Sequence, residues 1–287
     1  MTPDGTSHDL RADGLALAYD GRRVVEGLDL AVPNGQVTVI VGPNACGKST
    51  LLRSFARLLR PDAGIVTLDG TDVHRLPTRR LAMVVGLLPQ QPIAPEGITV
   101  GDLVGRGRFP RQGLFRQWSA EDEAAVASAL RSTDTLHLAA RPVDELSGGQ
   151  RQRVWIAMAL AQETDILLLD EPTTFLDVTH QIEVLDLLHE LNRERGVTIV
   201  MVLHDLNLAA RYADHLVVMA NGRIVVEGAP AAVITREVIA EAFGLEALVA
   251  PDPVSGSPMV VPMGRFHSLR TEASAASAVS VRPHVEG

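Results

Sequence analysis

The chain has 287 residues, room for one large domain or two tightly joined subdomains at roughly 150 residues each. Its 26 Lys plus Arg against 35 Asp plus Glu give a net charge of −9 and no basic footprint for nucleic acid, so a nucleic-acid partner is not expected. With 46% hydrophobic and 21% charged residues, general disorder is excluded, and aromatics at 3% leave the packing to aliphatic side chains. No apolar run approaches the ~20 residues that cross a bilayer as a helix. Residues 1–10 lack a basic start followed by an apolar stretch, so no secretory leader is expected. The single cysteine, Cys46, cannot form an internal disulfide, which fits a reducing compartment and predicts a cytoplasmic chain.

In chain order, strands are predicted at Val37 to Val41, Val84 to Leu88, Ile166 to Leu169, Thr198 to Leu203 and Leu216 to Met219. Several are apolar throughout, as strands covered on both faces are. After the first strand comes a helical period through Leu51, Leu52, Phe55 and Leu58. Between the second and third lies a region, Thr99 to Ala140, with helices at Thr99 to Val104 and Ser119 to Arg131, which reads as a helical insert in an α/β core. A further helix runs from Gln152 to Ala161. From His267 onward, Ala and Ser dominate and disorder is predicted.

The strongest motif is Gly42-Pro43-Asn44-Ala45-Cys46-Gly47-Lys48-Ser49-Thr50, a G-x-x-x-x-G-K-[ST] loop set between a strand and a helix as the motif requires. Its glycines let consecutive backbone N–H groups turn inward at a helix N-terminus, which makes an anion cradle for phosphates. Lys48, the only lysine in the chain, is expected to reach the β- and γ-phosphates and Ser49 to ligate Mg²⁺. Cys46 beside Lys48 is expected to favour the thiolate and to react quickly at the phosphate site; the alternative is a thiol turned into packing against the sheet.

Ile166 to Glu171 is an apolar strand ending in two carboxylates. Asp170 suits outer-sphere coordination of Mg²⁺ and Glu171 suits a general base for water, the bland alternative being a helix cap. Leu146-Ser147-Gly148-Gly149-Gln150 opens the next helix and offers a second anion site. One chain cannot readily bring both sites to one triphosphate, so two copies joined head to tail around the nucleotide are inferred.

These motifs, in this order, resemble the ATP-binding subunit of ABC transporters, whose signature is Leu-Ser-Gly-Gly-Gln; the resemblance spans about Leu15 to Arg265. It implies an α/β P-loop ABC ATPase core with a mixed sheet, an antiparallel β region and an inserted helical subdomain. The domain would occupy residues 10–266, with the helical insert at about 91–162 and a disordered tail at 267–287. By resemblance, Tyr19 stacks on adenine, Gln90 contacts Mg²⁺ and links the core to the insert, Asp177 crosses between subunits, and His204 touches the γ-phosphate. Taken alone, these four read as a strand residue, a solvated loop residue, a helix N-cap and a structural histidine. The small residues common before Leu176-Asp177 are replaced by Thr174 and Phe175.

The segments Arg106 to Trp118, Trp155 to Thr164, His204 to Asn207 and Asp252 to Pro258 are similar to the ATPases of ferric siderophore importers of the ferric enterobactin type. That implies an ATP- and Mg²⁺-dependent subunit at the cytoplasmic face of the membrane, peripheral through integral-membrane permease subunits and fed indirectly by an external binding protein. The Arg106 to Trp118 segment is where the resemblance docks the permease. Related haem and cobalamin importers, and a soluble ABC-type ATPase of iron–sulfur assembly, are the alternative roles. A DNA-repair ATPase would need long heptad arms between the phosphate loop and the signature, and the sequence has none.

Overall fold

The computed structural model describes residues 7–19, 21–112 and 118–264, with backbone alone at Tyr19. The predicted tail at 267–287 and residues 113–117 of the arginine and aromatic segment lie outside the described residues.

The described chain opens with two long antiparallel strands, β1 (Leu10–Tyr19) and β2 (Arg22–Val32), and then the fully buried β3 (Val37–Val41), which leads into α1 (Lys48–Phe55). Next come β4 (Ala63–Leu68), the short β5 (Thr71–Asp72), α2 (Thr78–Val84) and β6 (Val85–Leu88). Three helices follow before the next strand: α3 (Val100–Gly105), α4 (Ala120–Ser132) and α5 (Gly148–Ala161). Strand β7 (Ile166–Asp170), helix α6 (Val178–Arg195), β8 (Thr198–Val202), α7 (Leu206–Tyr212), β9 (His215–Ala220) and β10 (Arg223–Gly228) complete the larger sheet. Two short helices, α8 (Pro230–Val233) and α9 (Arg236–Phe243), precede a hairpin of β11 (Ala247–Pro251) and β12 (Pro258–Pro262).

The larger sheet has the order β10-β9-β3-β8-β7-β6, parallel except for the β9–β10 hairpin. Strand β1 lies between β2 and β4 in a separate antiparallel sheet of order β2-β1-β4-β5. The fold class expected from the sequence is therefore met. Alternation along the central strands serves two cores. Leu167, Leu169, Ile199 and Met201 face a core shared with α5, α6 and α7, whereas Ile166, Leu168, Val200 and Val202 face α1 and the antiparallel sheet. Side chains buried on both faces explain why β3, β7 and β8 read as apolar runs rather than alternating ones.

Most element boundaries shift by a residue or two, α5 opens four residues before the expected Gln152, and one expectation fails. Leu58 does not continue α1 and is 68% exposed. The helix stops because Arg57 takes a left-handed φ of 61° and the Leu58 N–H reaches back to the Arg53 carbonyl, a Schellman-type ending. Val84, expected to open a strand, is the last residue of α2. The helices between β6 and β7 start where their caps sit. Thr99 caps α3 by accepting from Asp102 N–H, and Ser119 forms a reciprocal capping box with Asp122 at α4.

Candidate nucleotide and hydrolysis site

The loop after β3 turns on two glycines at positive φ, where any side chain would be strained. A Cβ at Gly42, φ 155°, would lie 2.1 Å from the Met219 carbonyl oxygen, and one at Gly47, φ 106°, would lie 2.7 Å from Val25 Cγ2. Helix α1 begins at Lys48 with no side chain capping its first turn, so its orphan N–H groups are available to an anion. Lys48 is buried, and its ammonium donates to the carbonyls of Gly42 and Pro43, both at 2.8 Å. An ammonium held this way at the mouth of an uncapped helix suits phosphate.

Strand β7 pairs in parallel with β6 and β8 and delivers two carboxylates at its end. Ser49 Oγ donates to Asp170 Oδ1 at 2.8 Å, which brings a hydroxyl and a carboxylate oxygen together at the start of α1. Such an all-oxygen donor set, beside the loop, fits a hard divalent cation such as Mg²⁺. Burial pushes the Asp170 carboxyl up, the Ser49 hydrogen bond opposes this, and the neighbouring Glu171 charge adds to the rise. Glu171 follows in a left-handed backbone, φ 55°. Burial alone would raise its carboxyl as well, but hydrogen bonds from His204 and Gln90, the His204 charge and a bond from Thr174 hold it below the ordinary glutamate value. His204 Nε2 lies 2.6 Å from Glu171 Oε1, and Thr174 Oγ1 donates to Glu171 Oε2 at 3.1 Å.

Pro43 to Thr50, Gln90, Glu171 and His204 line one open cleft of about 1020 Å³. Gly42 backs it and Asp170 enters through Ser49. Two parts of the expected constellation are elsewhere among the described residues. Ser147 and Gln150 cap the start of α5 in a reciprocal box, at 3.3 and 3.1 Å, with Gly148 exposed beside Ser147. Gly149 packs against Leu176 of the loop between β7 and α6. Asp177 caps α6, accepting from His180 N–H at 3.0 Å. Neither Ser147 to Gln150 nor Asp177 lines the cleft. The Tyr19 side chain lies outside the described residues.

Cys46 corrects an expectation. Its thiol belongs to the core that contains Leu51 and Phe55, and burial pushes it up despite the Lys48 charge and backbone hydrogen bonds. Desolvation outweighs the helix terminus, so the thiol is packed and not poised as a thiolate.

Sequence reasoning missed several residues on the cleft. Arg22 and Arg23 line it from the start of β2, and Asn221 and Gly222 from the β9–β10 turn. The Asn-Gly pair is a hairpin signal, and both residues take positive φ as a type I′ turn requires. Arg53 also lines it, one helical turn past Ser49. Thr174 stood in the sequence as a departure from small residues, and nothing there pointed to its bond with Glu171.

A family model described as ABC transporter matches residues 25–174. The chain is similar to the achromobactin transport ATP-binding protein CbrD of Dickeya dadantii (strain 3937), 56% identical over 251 residues that cover 88% of this chain and 93% of that one. It is also similar to the ferric enterobactin transport ATP-binding protein FepC of Escherichia coli (strain K12), 53% identical over 256 residues, covering 89% and 94%. Among solved structures, the dimeric structure of MJ0796, a bacterial ABC transporter cassette, superposes with a TM-score of 0.70 at 28% identity, covering 77% of this chain and 98% of that one.

Proposed function

The chain belongs to the ABC transporter family as an ATP-binding subunit, and from that premise we propose that it hydrolyses ATP to power import of iron(III)–siderophore complexes. One observation carries the hydrolytic part. Lys48, the Ser49–Asp170 pair and the Glu171–His204 pair converge on one cleft at the ends of parallel strands. The siderophore assignment is supported by the names of relatives that match nearly nine-tenths of this chain at 53% and 56% identity.

In this reading Lys48 and the N–H groups of α1 hold the triphosphate, and Tyr19 stacks on the adenine. Ser49, Gln90 and Asp170 hold Mg²⁺, which when bound neutralises charge on the phosphate oxygens. Glu171 accepts the proton of the attacking water, because its carboxylate is held ionised and aimed by its hydrogen-bond partners. His204 steadies that carboxylate and reaches toward the γ-phosphate. Ser147 to Gln150 and Asp177 lie off the cleft, so they serve the nucleotide of a second copy, in a head-to-tail pair with ATP between the two chains. ATP then drives closure only by binding the closed pair more tightly than the open one.

Integral-membrane permease subunits complete the transporter and hold this chain at the cytoplasmic face. An external binding protein supplies the cargo, which never touches this chain. No helix among the described residues is long and apolar enough to cross a membrane. Residues 10–266 form the ATPase domain on this reading, with the insert at about 91–162. Deleting the gene should abolish uptake of labelled ferric siderophore and spare cobalamin and haem uptake. The wild-type chain should restore uptake, and Glu171→Gln should not. Collapse of cobalamin uptake with iron uptake intact would overturn the cargo assignment and leave the ATPase standing.

A further inference from the structure

We propose that Thr174 is the positioning residue for the Glu171 carboxylate, and that it makes the aim of that carboxylate depend on the loop from Pro172 to Asp177. The inference rests on the reading of Glu171 as the base. A glutamate side chain ends in a torsion that is broad and roughly two-fold, so a carboxylate anchored on one oxygen still rotates. Here the two oxygens have separate donors, beside a further hydrogen bond from Gln90. His204 lies at 2.6 Å from Oε1, and the Thr174 hydroxyl donates to Oε2 at 3.1 Å. The Thr174 backbone N–H also donates to the Glu171 carbonyl at 3.2 Å, so one residue grips both ends of the base. Threonine is stiff about its first side-chain torsion because it branches at Cβ, and its hydroxyl is therefore presented in a fixed direction.

The second half of the proposal concerns what holds Thr174. Gln152, buried on α5, donates to the Pro172 carbonyl at 2.9 Å, and Gln181 on α6 donates to the Leu176 carbonyl at 3.0 Å. The loop is thus pinned on one side to the helix that starts with Ser147 and on the other to the helix capped by Asp177. Its outermost side chain, Phe175, is 75% exposed on a left-handed backbone, φ 67°.

The test is steady-state ATPase kinetics of the purified full chain, comparing Thr174→Val, which keeps the shape without the hydroxyl, with Thr174→Ser, which keeps the hydroxyl. Thr174→Val should lower kcat ~10-fold with the KM for ATP within about twofold, since misaiming a base costs turnover and not binding. Thr174→Ser should restore most of the rate. In a Glu171→Gln background, Thr174→Val should add no further loss, because the carboxylate it serves is already gone. Wild-type kcat in Thr174→Val overturns the proposal. So does a serine variant as impaired as valine, or an equal further loss in the Glu171→Gln background. If Thr174→Val does not fold, Thr174→Ala is read by the same criteria. A Glu171→Gln chain that turns over at the wild-type rate sinks the base assignment itself and this inference with it. Normal Thr174→Val kinetics beside a dead Glu171→Gln sinks the inference alone.

Discussion

Arg108→Met should destabilise the chain by about 3 kcal/mol, at the lower end of the ~3–5 kcal/mol typical when one partner of a buried ion pair is removed. The guanidinium is only 1% exposed, and it donates to Asp122 Oδ1 at 3.0 Å, the Ala161 carbonyl at 2.8 Å and Glu163 Oε2 at 2.6 Å. Methionine fills much of the volume but leaves those acceptors without their donor. Glu163, at 40% exposure, can turn to water, so its share of the loss is small. Asp122 cannot, because it is nearly buried, yet it keeps the Ser119 N–H at 3.1 Å and hydroxyl at 2.8 Å through the α4 cap. Those two bonds keep the cost at the low end. At roughly 2–4 °C per kcal/mol for a chain of this size, Tm should fall by roughly 6–12 °C in calorimetry. Arg108→Lys should sit between the two, since an ammonium cannot span three acceptors set around a planar fork. A Tm for Arg108→Met within 2 °C of the parent would refute the reasoning and mean that the carboxylates rehydrate freely.

Further outcomes follow from the site. Lys48→Ala should lose tight MgATP binding in calorimetric titration. Glu171→Gln should keep binding, lose turnover by ~10²–10⁴ and accumulate a nucleotide-bound pair on size exclusion. Cys46 should react with maleimide more slowly than a free thiol at the same pH, as burial holds it protonated; intact mass showing the opposite would contradict its packing. Asp252 ion-pairs with Arg211 at 2.7 Å and accepts from the N–H groups of Val254 and Ser255; with the Arg211 bond first, these hold its carboxyl down at about 2, below the ordinary 3.8. Its contribution is fully present above 3.8 and is lost as pH falls through about 2. Hydrogen exchange at Val254 and Ser255 should accelerate only in that window, and Asp252→Asn should remove the dependence.

The parts of the fold that were legible in the sequence share a property. Strands β3, β7 and β8 announce themselves because both of their faces are buried, and the phosphate loop because its chemistry allows few residues. The antiparallel sheet is quieter. Strand β1 carries register shifts against β2 and β4, with Gly14 in a left-handed turn, which breaks the alternation that would have revealed it. Within the site, Glu171 is legible from its place at the end of an apolar strand and Gln90 only through the family resemblance, whereas the bond from Thr174 is tertiary geometry. Cys46 reads from the sequence as a thiolate because Lys48 and a helix end are its chain neighbours, whereas its burial in the core is a product of the fold.

The left-handed backbone of Glu171 sets folding against turnover at a single position. A non-glycine residue in that region costs on the order of 1 kcal/mol, which glycine would not incur. A substitution at 171 scored on melting temperature therefore sets that relief against the bonds from His204 and Thr174 that the carboxylate would give up. Stabilising this ATPase without silencing it means leaving that strained residue alone and seeking gains remote from the cleft.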